Sequence, residues 1–145
     1  MTPTRGQRNK NPLNIRRGKD NWLGQDKNPT QRDPEFYQFK TATYGYRAGA
    51  KILRTYQRKY GLTTLEGLIS RWAPQSENNT RGYIARVAKE LSLRTHKEIT
   101  GATQLDLLSD TNLLKNLIIA MHIVENGKAP TDYEMSAIEQ GIISI

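Results

Sequence analysis

The chain has 145 residues, no cysteine and a net charge of +8, with 22 Lys and Arg residues against 14 Asp and Glu residues. This length suits a single domain over residues 1–145 with a core that needs no cross-links, and the lack of cysteine excludes disulfide scaffolds, thiolate zinc sites and cysteine nucleophiles. Residues 1–100 hold 20 basic and 8 acidic residues (+12), whereas residues 101–145 hold 2 and 6 (−4). The charge therefore favours a polyanionic partner: nucleic acid, anionic lipid or a bacterial envelope polymer.

The N-terminal sequence predicts loops. Residues 1–40 are rich in Asn, Gly, Pro and Arg, and their short apolar islands predict a minor β region near residues 13–40. The composition changes at Gly45, after which apolar residues at helical spacing predict a helix over residues 46–60. Gly61 is a typical helix stop.

Two shorter helices are expected next. Thr63 and Glu66 have the spacing of a capping box, which predicts a helix that ends before Pro74. The polar stretch 75–80 supplies an N-cap for another amphipathic helix. A weaker helical turn is expected over residues 103–108.

The C-terminal sequence predicts the most buried helix of the chain. Residues 112–125 are apolar over more than half the helix circumference, with a cap at Asp110 and a stop at Gly127. Thr131 and Glu134 form a second capping box, which predicts a final helix. The fold class is therefore mainly α, or α+β with a minor β part.

Few residues can carry catalytic chemistry. The two histidines, His96 and His122, lie on different predicted elements without the paired spacing of a zinc helix, so we expect no metal and no cofactor. Nucleophile elbows and phosphate-binding glycine loops are also absent from the sequence. Carboxylates remain as the candidate catalytic groups.

Glu125 differs from the other carboxylates in its predicted environment. It falls in the last turn of the apolar helix, where the negative end of the helix dipole and apolar neighbours both raise a carboxyl pKa. A carboxyl that stays protonated near neutral pH is what a glycosidase needs to protonate a leaving oxygen. The alternative is a solvated residue at a frayed helix end, or one that bonds a loop amide.

Two segments resemble enzymes that cleave bacterial cell walls. Residues 117–127, with Pro130 shortly after, resemble the helix of lytic transglycosylases and related lysozyme-like enzymes that ends in the catalytic glutamate. Residues 11–16, followed by Trp22 and Gly24, resemble the stretch after that helix in bacterial cell-wall glucosaminidases. In those families the glutamate helix comes first, so the resemblance implies a circularly permuted lysozyme-like domain, with the glutamate helix beside the N-terminal loops.

Taken together, the order of the motifs is similar to lysozyme-like virion or endolysin proteins of bacteriophages and prophages. This resemblance implies peptidoglycan glycan strands as the substrate and virion or lysis proteins as partners, without a specific nucleic acid. No apolar run approaches the ~20 residues of a membrane span, and we expect no signal peptide. The protein would then be virion-associated, or made in the host cytoplasm and delivered to the wall by another system.

The resemblance also implies roles for individual residues. Glu125 is the expected general acid and base, Glu77 is the first candidate for a second carboxylate, and Asp33 is the backup. Glu77 is equally well explained as a cap-region acid, and Asp33 as a turn residue before Pro34. Trp72, at helical spacing from apolar neighbours, is expected in the core. The expected substrate-binding residues are Asn11, Asn14, Trp22, Tyr44, Asn78, Thr80 and Tyr83.

Several functions remain open at this point. A transglycosylase needs one carboxylate and gives an anhydro product, whereas a hydrolase needs a second carboxylate at roughly 5–9.5 Å. The alternative hypothesis is a non-catalytic virion or cell-wall-binding protein that keeps the lysozyme-like fold without turnover. A nucleic-acid-binding module is less favoured, because the basic residues are spread over several elements instead of one recognition helix.

Overall fold

The computed structural model describes residues 2–76 and 78–145, and this part of the chain is mainly helical, as predicted. The helices are α1 (Arg5–Arg8), α2 (Ala42–Tyr60), α3 (Leu65–Trp72), α4 (Thr80–Thr95), α5 (Thr111–Asn126) and α6 (Asp132–Ile143). In place of the expected minor β region, two isolated antiparallel bridges pair Arg16 with Phe36 and Gln25 with Phe39. None of the helices in the described ranges is long and apolar enough to cross a membrane.

The predicted caps set several helix ends. The Asp110 side chain accepts a hydrogen bond from the backbone N–H of Leu113 at 2.9 Å, and Gly127 ends α5 in the left-handed conformation at φ 72°. Thr131 and Glu134 form the predicted capping box of α6. These caps confirm the two C-terminal helices.

Other boundaries differ from the prediction. Helix α2 begins at Ala42 rather than at residue 46, and the N-cap of α3 is Thr64 rather than Thr63. The Thr63 carbonyl instead accepts a hydrogen bond from Leu105 N at 2.7 Å, and Thr64 forms a bridge with Gln104. This pairing extends the 103–105 segment, so the helical turn expected there was wrong.

The main core surrounds α5, whose central residues are fully buried. These are Leu114, Leu117, Ile118, Ile119, Ala120 and Met121. Helices α2 and α6 pack closely, since a Cβ at Gly141 would lie 2.9 Å from the carbonyl oxygen of Thr43. A smaller apolar cluster forms from Ile15, Tyr37, Phe39 and Ala48. Trp72 packs against both clusters, so it joins the helical core to the N-terminal loops.

The N-terminal segment docks on the ends of the two C-terminal helices. Thr4 Oγ1 donates to Asn126 Oδ1 at 2.6 Å, and Asn126 Nδ2 donates to the carbonyl oxygen of Pro12 at 2.8 Å. Gln7 Nε2 donates to Glu134 Oε2 at 3.0 Å. The C-terminal end of α5 therefore lies beside the N-terminal loops, as predicted.

Candidate functional site

A cleft of about 570 Å³ opens between the N-terminal loops, α2 and α3, and the end of α5 contributes Glu125 to it. We call it the Glu125 cleft. Its lining combines aromatic, basic and carboxylate side chains. The lining includes Asn14, Arg16, Asp20, Trp22, Phe36, Tyr37, Tyr56, Lys59, Tyr60, Arg71, Trp72, Asn78 and Glu125.

Two neutral donors from distant parts of the chain hold the Glu125 carboxylate. Asn14 Nδ2 donates to Oε1 at 2.9 Å, and the Tyr83 hydroxyl donates to Oε2 at 2.8 Å. Hydrogen bonding from the Trp72 side chain also acts on this carboxyl. Each oxygen therefore has a fixed position relative to the cleft.

The pKa of Glu125 is raised above its ordinary value, as the sequence predicted. Burial is the main cause, because it removes water from the charged form. Hydrogen bonds from Asn14, Tyr83 and Trp72, and the positive charge of Arg16, lower the pKa again but do not cancel the effect of burial. The site therefore favours a protonated carboxyl more than an exposed glutamate would.

Asn14 is presented by a tight loop. Its backbone N–H donates to the carbonyl oxygen of Asn11 at 3.0 Å, and its φ of 53° lies in the left-handed region, which asparagine tolerates better than most residues. The Asn14 Oδ1 atom is buried without a hydrogen-bond partner in the described chain. Its amide is therefore oriented by the loop and by Glu125.

Tyr83 reaches Glu125 from the first turn of α4. Asn79 caps this helix by accepting from Gly82 N at 3.1 Å, and Tyr83 is itself only 7% exposed. Burial, followed by the nearby Glu125 charge, raises the pKa of Tyr83 well above its ordinary value. Tyr83 therefore remains a neutral phenol whose hydroxyl donates a hydrogen bond to the Glu125 carboxyl.

The structure places four of the predicted substrate-binding residues at this site. Asn14 and Tyr83 contact Glu125 directly, while Trp22 and Asn78 line the cleft. The Trp22 Nε1 atom is buried and has no hydrogen-bond partner among the described residues. Asn78 and Tyr83 also border a second depression of about 400 Å³, which Val124 lines as well.

Three other predicted substrate-binding residues lie outside the lining of the Glu125 cleft. Asn11 is fully buried, and its amide bonds Ile15 and the Tyr37 carbonyl within the loop. Tyr44 packs its ring against Gly24. Thr80 is buried and its hydroxyl donates to the Ala73 carbonyl, which fixes the α3–α4 connection. Asn11 and Thr80 are therefore buried structural residues, whereas Tyr44 is half-buried.

Asp33 also lies outside the lining of the Glu125 cleft. Its carboxylate receives two hydrogen bonds from Arg5, at 2.7 and 2.8 Å, and one from Asn9 at 2.9 Å. The backbone N–H groups of Glu35 and Phe36 also donate to it, which is the predicted turn. The Arg5 contact lowers the pKa of Asp33 most strongly. Glu77, the other candidate for a second carboxylate, lies outside the described residues.

Sequence reasoning missed several residues of the cleft. Asp20 contributes a second described carboxylate to the lining, and Trp72, expected only in the core, also reaches Glu125. Arg71, Lys59 and two tyrosines form a basic aromatic corner. No local pattern marks these residues, because α2, α3 and the loops meet only in the folded chain.

The two histidines lie on different elements, His96 at the C-cap of α4 and His122 within α5. Within the described ranges, no three His, Asp or Glu side chains gather closely enough to hold a metal ion. His122 is fully buried in α5, with Nδ1 at 2.8 Å from the Tyr46 hydroxyl and Nε2 at 3.9 Å from Glu134 Oε1. Burial lowers the pKa of His122, so it is a neutral core residue near pH 7.

Comparison with known proteins places the chain among bacteriophage proteins. No protein-family model matches it. Over 133 residues, which cover 90% of this chain and 76% of the relative, it is 42% identical to Protein P5 of Pseudoalteromonas phage PM2. This similarity supports the phage origin that the sequence motifs implied. The chain therefore belongs to the family of Protein P5 of Pseudoalteromonas phage PM2.

Proposed function

We propose that this phage protein cleaves the glycan strand of peptidoglycan, with Glu125 as general acid and then base. One observation carries the proposal: a partly buried carboxyl with a raised pKa faces the cleft and is held by two neutral donors, Asn14 and Tyr83. Enzymes raise the pKa of a glutamate in this way to keep its proton available near neutral pH.

The chemistry can be written with Glu125 alone. The protonated carboxyl gives its proton to the glycosidic oxygen while the bond from that oxygen to the anomeric carbon breaks. The resulting carboxylate takes a proton from a hydroxyl of the same sugar as that hydroxyl attacks the anomeric carbon. The product is an anhydro sugar, and Glu125 is protonated again for the next cycle.

The single-carboxylate scheme requires only Glu125, whereas a hydrolase needs a second carboxylate in the cleft. Asp33 is committed to Arg5, Asn9 and two backbone N–H groups, so it is a poor candidate for a base or nucleophile in the cleft. Asp20 is exposed and lines the cleft, so it is the described residue that a hydrolytic mechanism would use. Product chemistry distinguishes the two schemes.

A permuted lysozyme-like arrangement fits the proposal. The hydrogen bond from Asn14 to Glu125 and the bond from Asn126 to Pro12 bring the N-terminal loop to the end of the glutamate helix. In a permuted domain the two segments are far apart in sequence but lie next to each other in space and form one site. The proposed partners are peptidoglycan and the virion or lysis proteins that carry the chain to the cell wall.

One observation favours a second candidate function, a non-catalytic cell-wall-binding protein of the virion. Both oxygens of Glu125 already accept hydrogen bonds from the chain itself, which is also what a structural carboxylate does. Under this alternative the cleft binds glycan without turnover, and binding survives the change Glu125→Gln.

Mass spectrometry of products released from purified sacculi tests the proposal. Wild-type protein should release anhydro-muropeptides, and Glu125→Gln should release none while still sedimenting with sacculi. Reducing-end products would instead indicate a hydrolase that uses Asp20 or Glu77 as its second carboxylate. Sedimentation of both proteins without any released product would favour the binding protein.

A further inference from the structure

One corner of the Glu125 cleft holds two cations over aromatic rings. The guanidinium of Arg71, in the last turn of α3, lies 3.8 Å from the ring centre of Tyr60 and 5.3 Å from that of Tyr56. The ammonium group of Lys59 lies 5.5 Å from the same Tyr60 ring. All four residues line the cleft, and we call them the Arg71 corner.

The charges of this corner are not neutralised by the described part of the chain. Neither Arg71 nor Lys59 has an acidic side chain within 4.0 Å there. Arg5 shows the contrasting case, because its guanidinium is taken up by Asp33 and Glu35. Two like charges that share one tyrosine ring repel each other, and an anion between or beside them would relieve that repulsion.

The aromatic rings prepare the guanidinium for recognition. Tyr56 and Tyr60 stand one helical turn apart on α2, so both face the same side of the helix. Stacking on the Tyr60 ring and a hydrogen bond with the Tyr56 hydroxyl restrict Arg71 to a few orientations, and Arg71 itself is exposed. A guanidinium presented in this way matches the two oxygens of a carboxylate.

We propose that the Arg71 corner binds a free carboxylate of the peptide stem attached to the glycan strand. This inference rests on the proposed function, because it names the part of peptidoglycan that the cleft recognises besides the sugar. Glu125 would act on the glycosidic bond, while Arg71 and Lys59 hold the peptide that branches from the same strand. The protein would then prefer glycan with anionic stems over glycan whose stems are neutral.

Binding of two matched probes tests this inference. The probes are a soluble disaccharide-tetrapeptide and the same compound with its peptide carboxylates converted to amides. Wild-type protein should bind the free-carboxylate probe about tenfold more tightly, the size expected for a charge-assisted hydrogen bond. Arg71→Gln should remove this preference and leave the affinity for the amidated probe unchanged.

Arg58→Gln is the matched control. Arg58 lies in the same last turn of α2 as Lys59 and shares its helix end, but it is not part of the cleft lining. The control should keep the full preference for the free carboxylate. The inference is overturned if wild-type protein binds both probes equally or neither of them. It is also overturned if Arg71→Gln keeps the preference, or if Arg58→Gln loses it to the same extent.

Product release from sacculi, measured on the same proteins, separates the two claims. Cleavage by wild-type protein without any preference between the probes would overturn the Arg71 corner and leave the proposed catalysis standing. A preference that depends on Arg71, in a protein that releases no product, would support the corner. It would also overturn the proposed catalysis.

Discussion

The Tyr83 hydroxyl donates a hydrogen bond of 2.8 Å to Oε2 of Glu125, across 42 positions of sequence. The bond joins the first turn of α4 to the last turn of α5, and Asn14 completes the arrangement from the N-terminal loop. Three distant segments therefore determine where this carboxyl points. Changes in any of them should affect the chemistry of Glu125 more than the stability of the fold.

Removing the Tyr83 hydroxyl should alter the pH profile. The Tyr83 bond lowers the pKa of Glu125, so Tyr83→Phe should raise that pKa further. Because the protonated form of Glu125 is the active one, the alkaline limb of the kcat/KM profile should move to higher pH. The kcat should also fall roughly ten- to a hundredfold, because the carboxyl loses a contact that positions it. Tyr133→Phe, on an exposed tyrosine of α6, should change neither. An unchanged pH profile in Tyr83→Phe would show that Tyr83 does not influence the Glu125 carboxyl during catalysis.

Gly6→Ala should disturb the site from outside the cleft. A Cβ at Gly6 would lie 3.0 Å from both the Asn11 carbonyl oxygen and Asn14 Oδ1, and 3.2 Å from Asn126 Oδ1. We expect a shift of the Asn14 amide, a loss of activity of roughly tenfold or more and little change in helix content by circular dichroism. At Gly18 the nearest atom would be 3.6 Å away, so Gly18→Ala should behave as wild type. Full activity in Gly6→Ala would show that the position of Asn14 is unimportant.

The sequence predicted best where the signal is local. The caps at Asp110 and Thr131, the stop at Gly127 and the apolar face of α5 each depend on residues a few positions apart, and all were confirmed. The position of Glu125 in the last turn of this helix also predicted its raised pKa, which its partial burial causes. The start of α3 was misplaced because the pairing of Thr63 with Leu105 is a long-range contact.

Loop residues were the least predictable part of the site. Asn11 and Thr80 are polar residues of the kind that bind sugars, yet their side chains satisfy buried backbone groups of the loops that carry them. Composition does not distinguish these two uses. Asp20 and Arg71 were missed for the opposite reason, because their place in the cleft depends on how α3 and the N-terminal loop pack.

Asp33 should contribute stability rather than catalysis. Its pKa is lowered, mainly by Arg5, so the folded state favours the ionised form. The stabilisation is therefore complete above the ordinary pKa of 3.8 and is lost as the pH falls through the folded value. Asp33→Asn should lower the Tm at pH 7, and its difference from wild type should shrink below about pH 4. An unchanged Tm at pH 7 together with a loss of activity would instead favour a catalytic Asp33.

His122 should make the fold less stable in mild acid. Burial lowers its pKa below the ordinary value of 6.5, so the folded state favours the neutral ring. Stability from this group is present above pH 6.5 and is lost as the pH falls toward the folded pKa. In His122→Gln the dependence of Tm on pH between about 6.5 and 5 should be weaker than in wild type, whereas His96→Asn should keep it. The same dependence in both variants would contradict this assignment.

The most direct test of the account is the identity of the products that wild-type protein and Glu125→Gln release from purified sacculi. Loss of a general acid costs roughly 100- to 10,000-fold in rate, so the variant should release no detectable product while it keeps its fold and its binding to sacculi. Anhydro-muropeptides from wild-type protein alone are the predicted result. Equal release by both proteins, or release by neither, would contradict the role of Glu125 as the catalytic acid.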